Sequence, residues 1–190
     1  MNRIMEICLR SESRNPYEIL LELMRLPETP MHGPVHHILD GAAFLTAMHN
    51  AGADIDLGAA LSELAQRGAQ MPGATCGKWG VCGAASSVGA ALAILHGTGP
   101  LSNSEYYQDN LRLTSRVLAQ IAARGGPRCC KRNGFTALEE AAAFVRERYG
   151  TSLEMPRITC TFSAKNPQCI AARCPYHPEC AALRDPAAFA

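Results

Sequence analysis

An all-α fold, a bundle of about six helices followed by a cysteine-rich tail held by metal, is predicted by three observations. Apolar residues recur at spacings of three and four in six segments, each closed off by proline or glycine. From Thr151 onward that periodicity fades while five prolines and four cysteines appear, so this stretch lacks the means to bury a core of its own. Nowhere is there an alternating strand pattern, a hairpin turn or an internal repeat. The chain therefore divides into a helical cysteine-containing domain, 1–150, and a cysteine-rich metal-binding tail, 151–190.

The first predicted helix runs from Pro16 to Arg25, with Asn15 placed to cap it and Pro16 at its first position, where a missing N–H costs nothing. The second, Pro34 to Asn50, stops at Ala51-Gly52. Asp56 caps the third, Leu57 to Arg67, and Gly68 follows its end. The fourth, Cys82 to Leu95, opens with Gly83, Ala84, Ala85, Ser86, Ser87 and Gly89, leaving one face almost bare. Glycines cost roughly 1 kcal/mol each inside a helix, so either another helix or a bound group must approach that backbone. The fifth, Ser104 to Ala123, ends at Arg124-Gly125-Gly126-Pro127, which cannot continue helical. Thr136 to Tyr149 is the sixth.

Composition excludes several classes of function. The chain has 190 residues, 47% of them hydrophobic, enough for a real core. Eighteen Lys and Arg face 17 Asp and Glu, a net charge of +1, so nothing draws the chain to nucleic acid or a membrane surface. No apolar run reaches the roughly 18 to 20 residues of a transmembrane helix. Residues 1–20 carry polar and charged side chains throughout and no apolar stretch of leader length, so a cytoplasmic location is expected. Thiols there stay reduced, and grouped cysteines point to metal ligation or thiol chemistry before structural disulfides.

Nine cysteines are present, and eight fall in groups: Cys76 and Cys82; Cys129 and Cys130; Cys160, Cys169, Cys174 and Cys180. Cys8 stands apart. Cys76 and Cys82 flank a glycine-rich turn that leads into the fourth helix, whose N-terminal N–H groups and dipole favour a thiolate at Cys82. The Cys129-Cys130 pair is flanked by Arg128, Lys131 and Arg132, which also favour thiolates. Adjacent cysteines reach one small ion together only under strain, so one is expected to ligate while the other exchanges or carries sulfur. In the tail, binding of metal would supply folding energy. Four thiolates suit zinc, but the short paired knuckles of zinc ribbons are missing, and Cys174-Pro175 resembles the Cys-Pro that closes ferredoxin-type runs. A [4Fe–4S] cluster is therefore expected, with zinc as the alternative.

Two resemblances point the same way. Cys82 to Gly89, with cysteines upstream and a later doublet, distantly resembles the putative redox-active family named for its pattern C_GCAxxG_C_C. The segments Met31 to His37, His49 to Gly52, Cys76 to Cys82 and Gly125 to Lys131, with the tail cysteines, resemble an uncharacterised cysteine-rich family of unknown function from anaerobic bacteria and archaea. Some relatives in that family are fused to methyltransferase-like domains. The resemblance implies iron–sulfur or redox biology, not a defined reaction. This chain has no glycine-rich strand-to-helix turn for a nucleoside cofactor.

His32, His36 and His37 cluster at the start of the second helix as a metal or proton-transfer site, or as polar packing around Gly33-Pro34. Asp40, one turn after His36, is placed to orient its ring. His49 and His96 end helices. The expected function is an iron–sulfur-binding protein handling electrons or sulfur, with a core site and a second cluster in the tail. Cys76, Cys82, Cys129, Cys130, Cys160, Cys169, Cys174 and Cys180 are the candidate ligands. Cys82, Cys129, Cys130 and His36 are the candidate catalytic groups, and Gly80, Gly83, Arg128 and Lys131 the candidate cofactor contacts. A redox or sulfur-donor protein is the expected partner. The alternatives are a non-enzymatic zinc-stapled interaction module and a metal-free dithiol enzyme.

Overall fold

The computed structural model describes residues 1–182, and every regular element among them is helical. In chain order they are α1 (Asn2–Arg10), α2 (Pro16–Met24), α3 (His36–Asn50), α4 (Leu57–Gln70), α5 (Thr75–Lys78), α6 (Gly83–Leu95), α7 (Glu105–Arg124), α8 (Cys130–Tyr149) and α9 (Pro178–Ala182). Two 3₁₀ turns, Ser163–Lys165 and Ala171–Arg173, lie between α8 and α9. Of the predicted tail, residues 183–190 lie outside the described residues. No described helix is long and apolar enough to cross a membrane.

α3 is the axis of the fold. Every residue from His36 to Met48 is buried, and α1, α2, α4, α6 and α8 all pack on it. A helix buried on nearly all sides belongs in an interior, and it is tied to α6 where the Gly41 N–H donates to Ser87 Oγ at 2.8 Å. α7 lies outside, joined to α8 through Asp109, which is fully buried and accepts from Tyr149 Oη at 2.9 Å, Arg148 at 3.1 Å and Arg112 at 3.1 Å.

Local signals explain most boundaries. Asn15 Oδ1 accepts from the N–H groups of Tyr17 and Glu18, and Asp56 Oδ1 from that of Ala59 at 3.0 Å, so both expected caps are made. α1 was not expected from its frequent charges. Its buried residues are Ile4, Ile7 and Cys8, a stripe at spacings of three and four, and burying each isoleucine stabilises it by roughly 1.5–3 kcal/mol. α8 begins at Cys130, six residues before the expected Thr136. Cys129 is its N-cap, Sγ accepting from the Arg132 N–H at 3.4 Å.

The segment after α8 shares the core of the helical domain. Ile170, Cys174 and Tyr176 are buried in it, with Leu153, Met155, Ile158 and Phe162 packed at its margin. Tyr176 sets its ring edge-on to Phe135, at 5.4 Å between centroids, and donates from Oη to Glu139 at 2.6 Å. The Cys160 N–H donates to the Tyr176 carbonyl at 2.7 Å, and the Glu154 N–H to that of Arg14 at 3.0 Å. Apolar anchors and main-chain bonds thus seat the segment.

Candidate functional site

Two cavities, each lined by three or more thiols, flank the start of α8. The larger, about 240 Å³, lies where α3, α5, α6 and α8 converge, and Cys76, Cys82 and Cys130 line it with His36, His37 and Asp40. Cys76 comes from α5, Cys82 from the N-cap of α6 and Cys130 from the first position of α8. The smaller, about 10 Å³, lies beneath the tail and is lined by Cys129, Cys160, Cys169 and Cys174. Cys180 lines neither. Its thiol donates to the Ala172 carbonyl at 2.8 Å. The structure thus groups Cys129 with three tail cysteines, and Cys130 with Cys76 and Cys82. Among the described residues, no three Cys, His, Asp or Glu side chains are arranged to hold a single metal ion, and all nine cysteines are free.

In the smaller cavity every sulfur meets a main-chain N–H. That of Phe162 points at Cys160 Sγ, that of Ala171 at Cys169 Sγ and that of Arg132 at Cys129 Sγ, each at 3.4 Å. The Tyr176 N–H serves Cys174. Asn166 adds an amide donor to Cys129 at 3.4 Å. The same Asn166 accepts from His32 Nε2 at 3.1 Å, while His32 Nδ1 accepts from the Cys130 N–H at 3.4 Å, so one side-chain pair braces both members of the doublet.

The larger cavity is built by close approach. A Cβ on Gly83 would run into the His37 ring, and one on Gly134 into the Asp40 carboxyl. Helix packing therefore accounts for the small-residue opening of α6. His37 Nδ1 donates to the Met71 carbonyl at 3.3 Å, leaving Nε2 as an acceptor beside Gly83. Asn133 Nδ2 donates to Cys82 Sγ at 3.3 Å. Asp40 is fully buried, and neither oxygen has a hydrogen-bond partner. It does not orient His36 as expected: His36 Nε2 donates to the Pro30 carbonyl at 3.1 Å, and Nδ1 is unpartnered.

Burial governs the electrostatics. Cys130 is pushed up to about 11, against the pull of the Gly33 N–H, and Cys82 is raised despite the Ala84 and Ala85 N–H groups at the start of α6. Cys82 and Cys130, expected to be lowered, are thus raised, because burial outweighs the nearby N–H groups and cations. Lys131 Nζ donates to the carbonyls of Pro30 at 3.3 Å and Met24 at 3.4 Å and lies 4.8 Å over the Phe162 ring. Arg132 donates to the carbonyls of Gly125 and Pro127. Desolvation raises Cys160 and Cys174, and charge on Cys129 or Cys169 raises them further. It also lifts Asp40 well above the carboxylate range, lowers Lys131 and, helped by Lys131, takes His36 down to about 4.

Of the other expected contacts, Gly83 and Arg128 line the larger cavity and Lys131 the smaller. Gly80 lines neither and serves the turn between α5 and α6 at φ +70°. Asn133 and Asn166 were missed as site residues, and Asp40 was placed only as the orienter of His36. Asp40 had one sequence signal, an acid inside an otherwise apolar helix; the two asparagines had none. Cys8 is buried, raised to about 11 by desolvation, and lines neither cavity.

These features define an all-α protein with two thiol-lined cavities either side of one helix start. Residues 4–177 match a family of unknown function (DUF5714), and the chain belongs to that family. Nothing among curated proteins or solved structures matches it.

Proposed function

We propose that this is an iron–sulfur-binding protein that handles electrons or sulfur. Cys76, Cys82 and Cys130 would hold a [4Fe–4S] cluster in the larger cavity. Cys129, Cys160, Cys169 and Cys174 would hold a second beneath the tail. The observation that carries the reading is the smaller cavity's four sulfurs, drawn from segments up to 45 residues apart, each met by a main-chain N–H. A neutral thiol is a weak acceptor. Four aligned donors favour thiolates, yet burial raises Cys160 and Cys174. A cationic centre resolves that conflict, since a coordinated thiol is deprotonated outright.

A cluster binds each cysteine through a different iron, so its ligands need not converge on one point as they do around zinc at about 2.3 Å. The larger cavity also supplies only three thiols, and a cluster so held keeps one iron open to a small substrate or an extra sulfide. Around that position Asn133 holds Cys82, the His32–Asn166 pair fixes the doublet, and His36, unprotonated near neutral pH, offers Nδ1 as an acceptor. Electrons or sulfur would come from a protein partner.

A second reading for the smaller cavity is zinc, because about 10 Å³ between the sulfurs leaves little room for four irons unless they move apart. The metal-free dithiol enzyme is disfavoured by the raised pKa values of Cys82 and Cys130, since the thiolate is the nucleophile.

The test is purification without oxygen, with visible absorption and assays of iron, zinc and acid-labile sulfide. Two clusters give a brown protein with about eight irons and as much sulfide per chain. A colourless protein with zinc alone would sink the iron–sulfur reading and favour the stapled module.

A further inference from the structure

We propose that the groove between α5 and the end of α7 binds a small organic anion, the substrate class of the neighbouring larger cavity. The substrate role rests on the preceding reading, whereas the binding itself needs only the chain's own residues.

The groove encloses about 530 Å³ and is walled by Lys78 of α5, by Ile121 and Ala122 of α7, and by Gly125, Gly126 and Arg128 of the loop that follows. It lies outside the volume assigned to the cluster. Ala74, Cys76, Arg128 and Asn133 line both this groove and the larger cavity, so the two spaces meet at a wall that carries one of the proposed ligand thiols.

Charge sets the class of ligand. Lys78, Arg128 and Arg132 line the groove, and among the described residues no Asp or Glu does. The side chains of Lys78 and Arg128 are exposed and form no ion pair among those residues. Arg132 is buried beneath them and donates to the carbonyls of Gly125 and Pro127, which holds the loop in place with a positive charge behind it. A cleft lined by one sign of charge concentrates ligands of the other. The one acid among the described residues lining the larger cavity is Asp40, which burial holds well above the carboxylate range. No carboxylate therefore opposes an anion on this route. The groove beside residues 153–158 also carries arginines, but Glu139 there pairs with Arg124 at 3.3 Å and offsets its charge.

Shape sets the size. A Cβ at Gly77, Gly125 or Gly126 would meet no atom within 4 Å, and Ile121 and Ala122 offer apolar surface to a ligand's body. At about 30 Å³ per water, the groove has space for on the order of seventeen water-sized groups. A single ring bearing one acidic group fits.

The test is equilibrium dialysis of the full chain, purified without oxygen, against benzoate, phenyl phosphate and benzamide. Benzoate and benzamide match in ring and carbonyl and differ in charge. Benzoate should bind about tenfold tighter at low salt, since two exposed cations each contribute modestly, and the preference should shrink at about 1 M salt. Phenyl phosphate binding tighter than benzoate assigns a phosphate head group, and binding weaker assigns a carboxylate. Lys78→Gln combined with Arg128→Gln should abolish the preference over benzamide, and both side chains are exposed, so the fold tolerates the change. Equal binding of benzoate and benzamide to the native chain overturns the proposal, as does a preference kept by the double variant. Iron and sulfide are assayed on the same samples. A chain without iron that still prefers benzoate removes the cluster reading and the substrate role with it, while a loaded chain without the preference removes the anion site alone.

Discussion

Cys129 and Cys130 are neighbours in the chain, yet Cys129 lines the cavity beneath the tail and Cys130 the cavity between α3, α5 and α6. The start of α8 causes the division: Cys129 is the extended N-cap and Cys130 the first helical residue, so their side chains diverge. On the proposed reading the two thiols serve different clusters. Cys129→Ala and Cys130→Ala should therefore each remove about half of the iron and sulfide, from different sites. Iron per chain in each variant and in the double variant checks this. Loss of all iron from either single change would mean one site.

Cys180 gives a sharper contrast. Its thiol is turned to the Ala172 carbonyl, outside the four sulfurs. Cys180→Ala should leave metal content within about a tenth of the native value, while Cys174→Ala empties the tail site. The assay is metal per chain after gel filtration. A fall in Cys180→Ala equal to that in Cys174→Ala would return Cys180 to the ligand set.

Caps and breakers made the helices legible, because Asn15, Asp56 and the glycine and proline stops act on their own few residues. α1 was obscured because charges on its exposed side masked the stripe of Ile4, Ile7 and Cys8. The early start of α8 was hidden because its first turn is polar yet buried, with Lys131 and Asn133 bonded to distant groups and Arg132 to carbonyls of the loop just before it. The cysteines were legible as candidates but not as partners. Their grouping depends on how residues 151–177 fold back across α8, which spacing does not encode. Asp40 was assigned to His36 instead of its real setting because that setting is made by Gly134 and Lys131, more than ninety residues away along the chain.

Gly83 is where helix packing and the larger cavity meet. A Cβ there would collide with the His37 ring, which the Met71 carbonyl holds in place. Gly83→Ala should force α6 away from α3 and destabilise the fold by about 1–3 kcal/mol, as overpacking does. The urea midpoint at unchanged m-value reports it. Gly83→Ala combined with His37→Ala should recover most of the loss, because the colliding ring is gone. No recovery would place the strain elsewhere.

His36 should leave a mark on stability against pH. Burial, with the Lys131 ammonium from α8 and the neighbouring His32 and His37 rings, takes its pKa from 6.5 down to about 4. Between those values the unfolded chain binds a proton that the folded chain refuses, so stability falls as pH drops from about 6.5 and the slope vanishes below about 4. The full span is on the order of 3 kcal/mol. Asp40, raised in the folded state, acts in the opposite sense, its contribution fading as pH rises above 3.8. It is common to the native protein and to His36→Gln, so it cancels in their difference. Unfolding free energies from urea at pH 7 and pH 4.5 should therefore differ by about 2–3 kcal/mol less in His36→Gln than in the native protein. Parallel loss in the two would mean that His36 titrates normally within the fold.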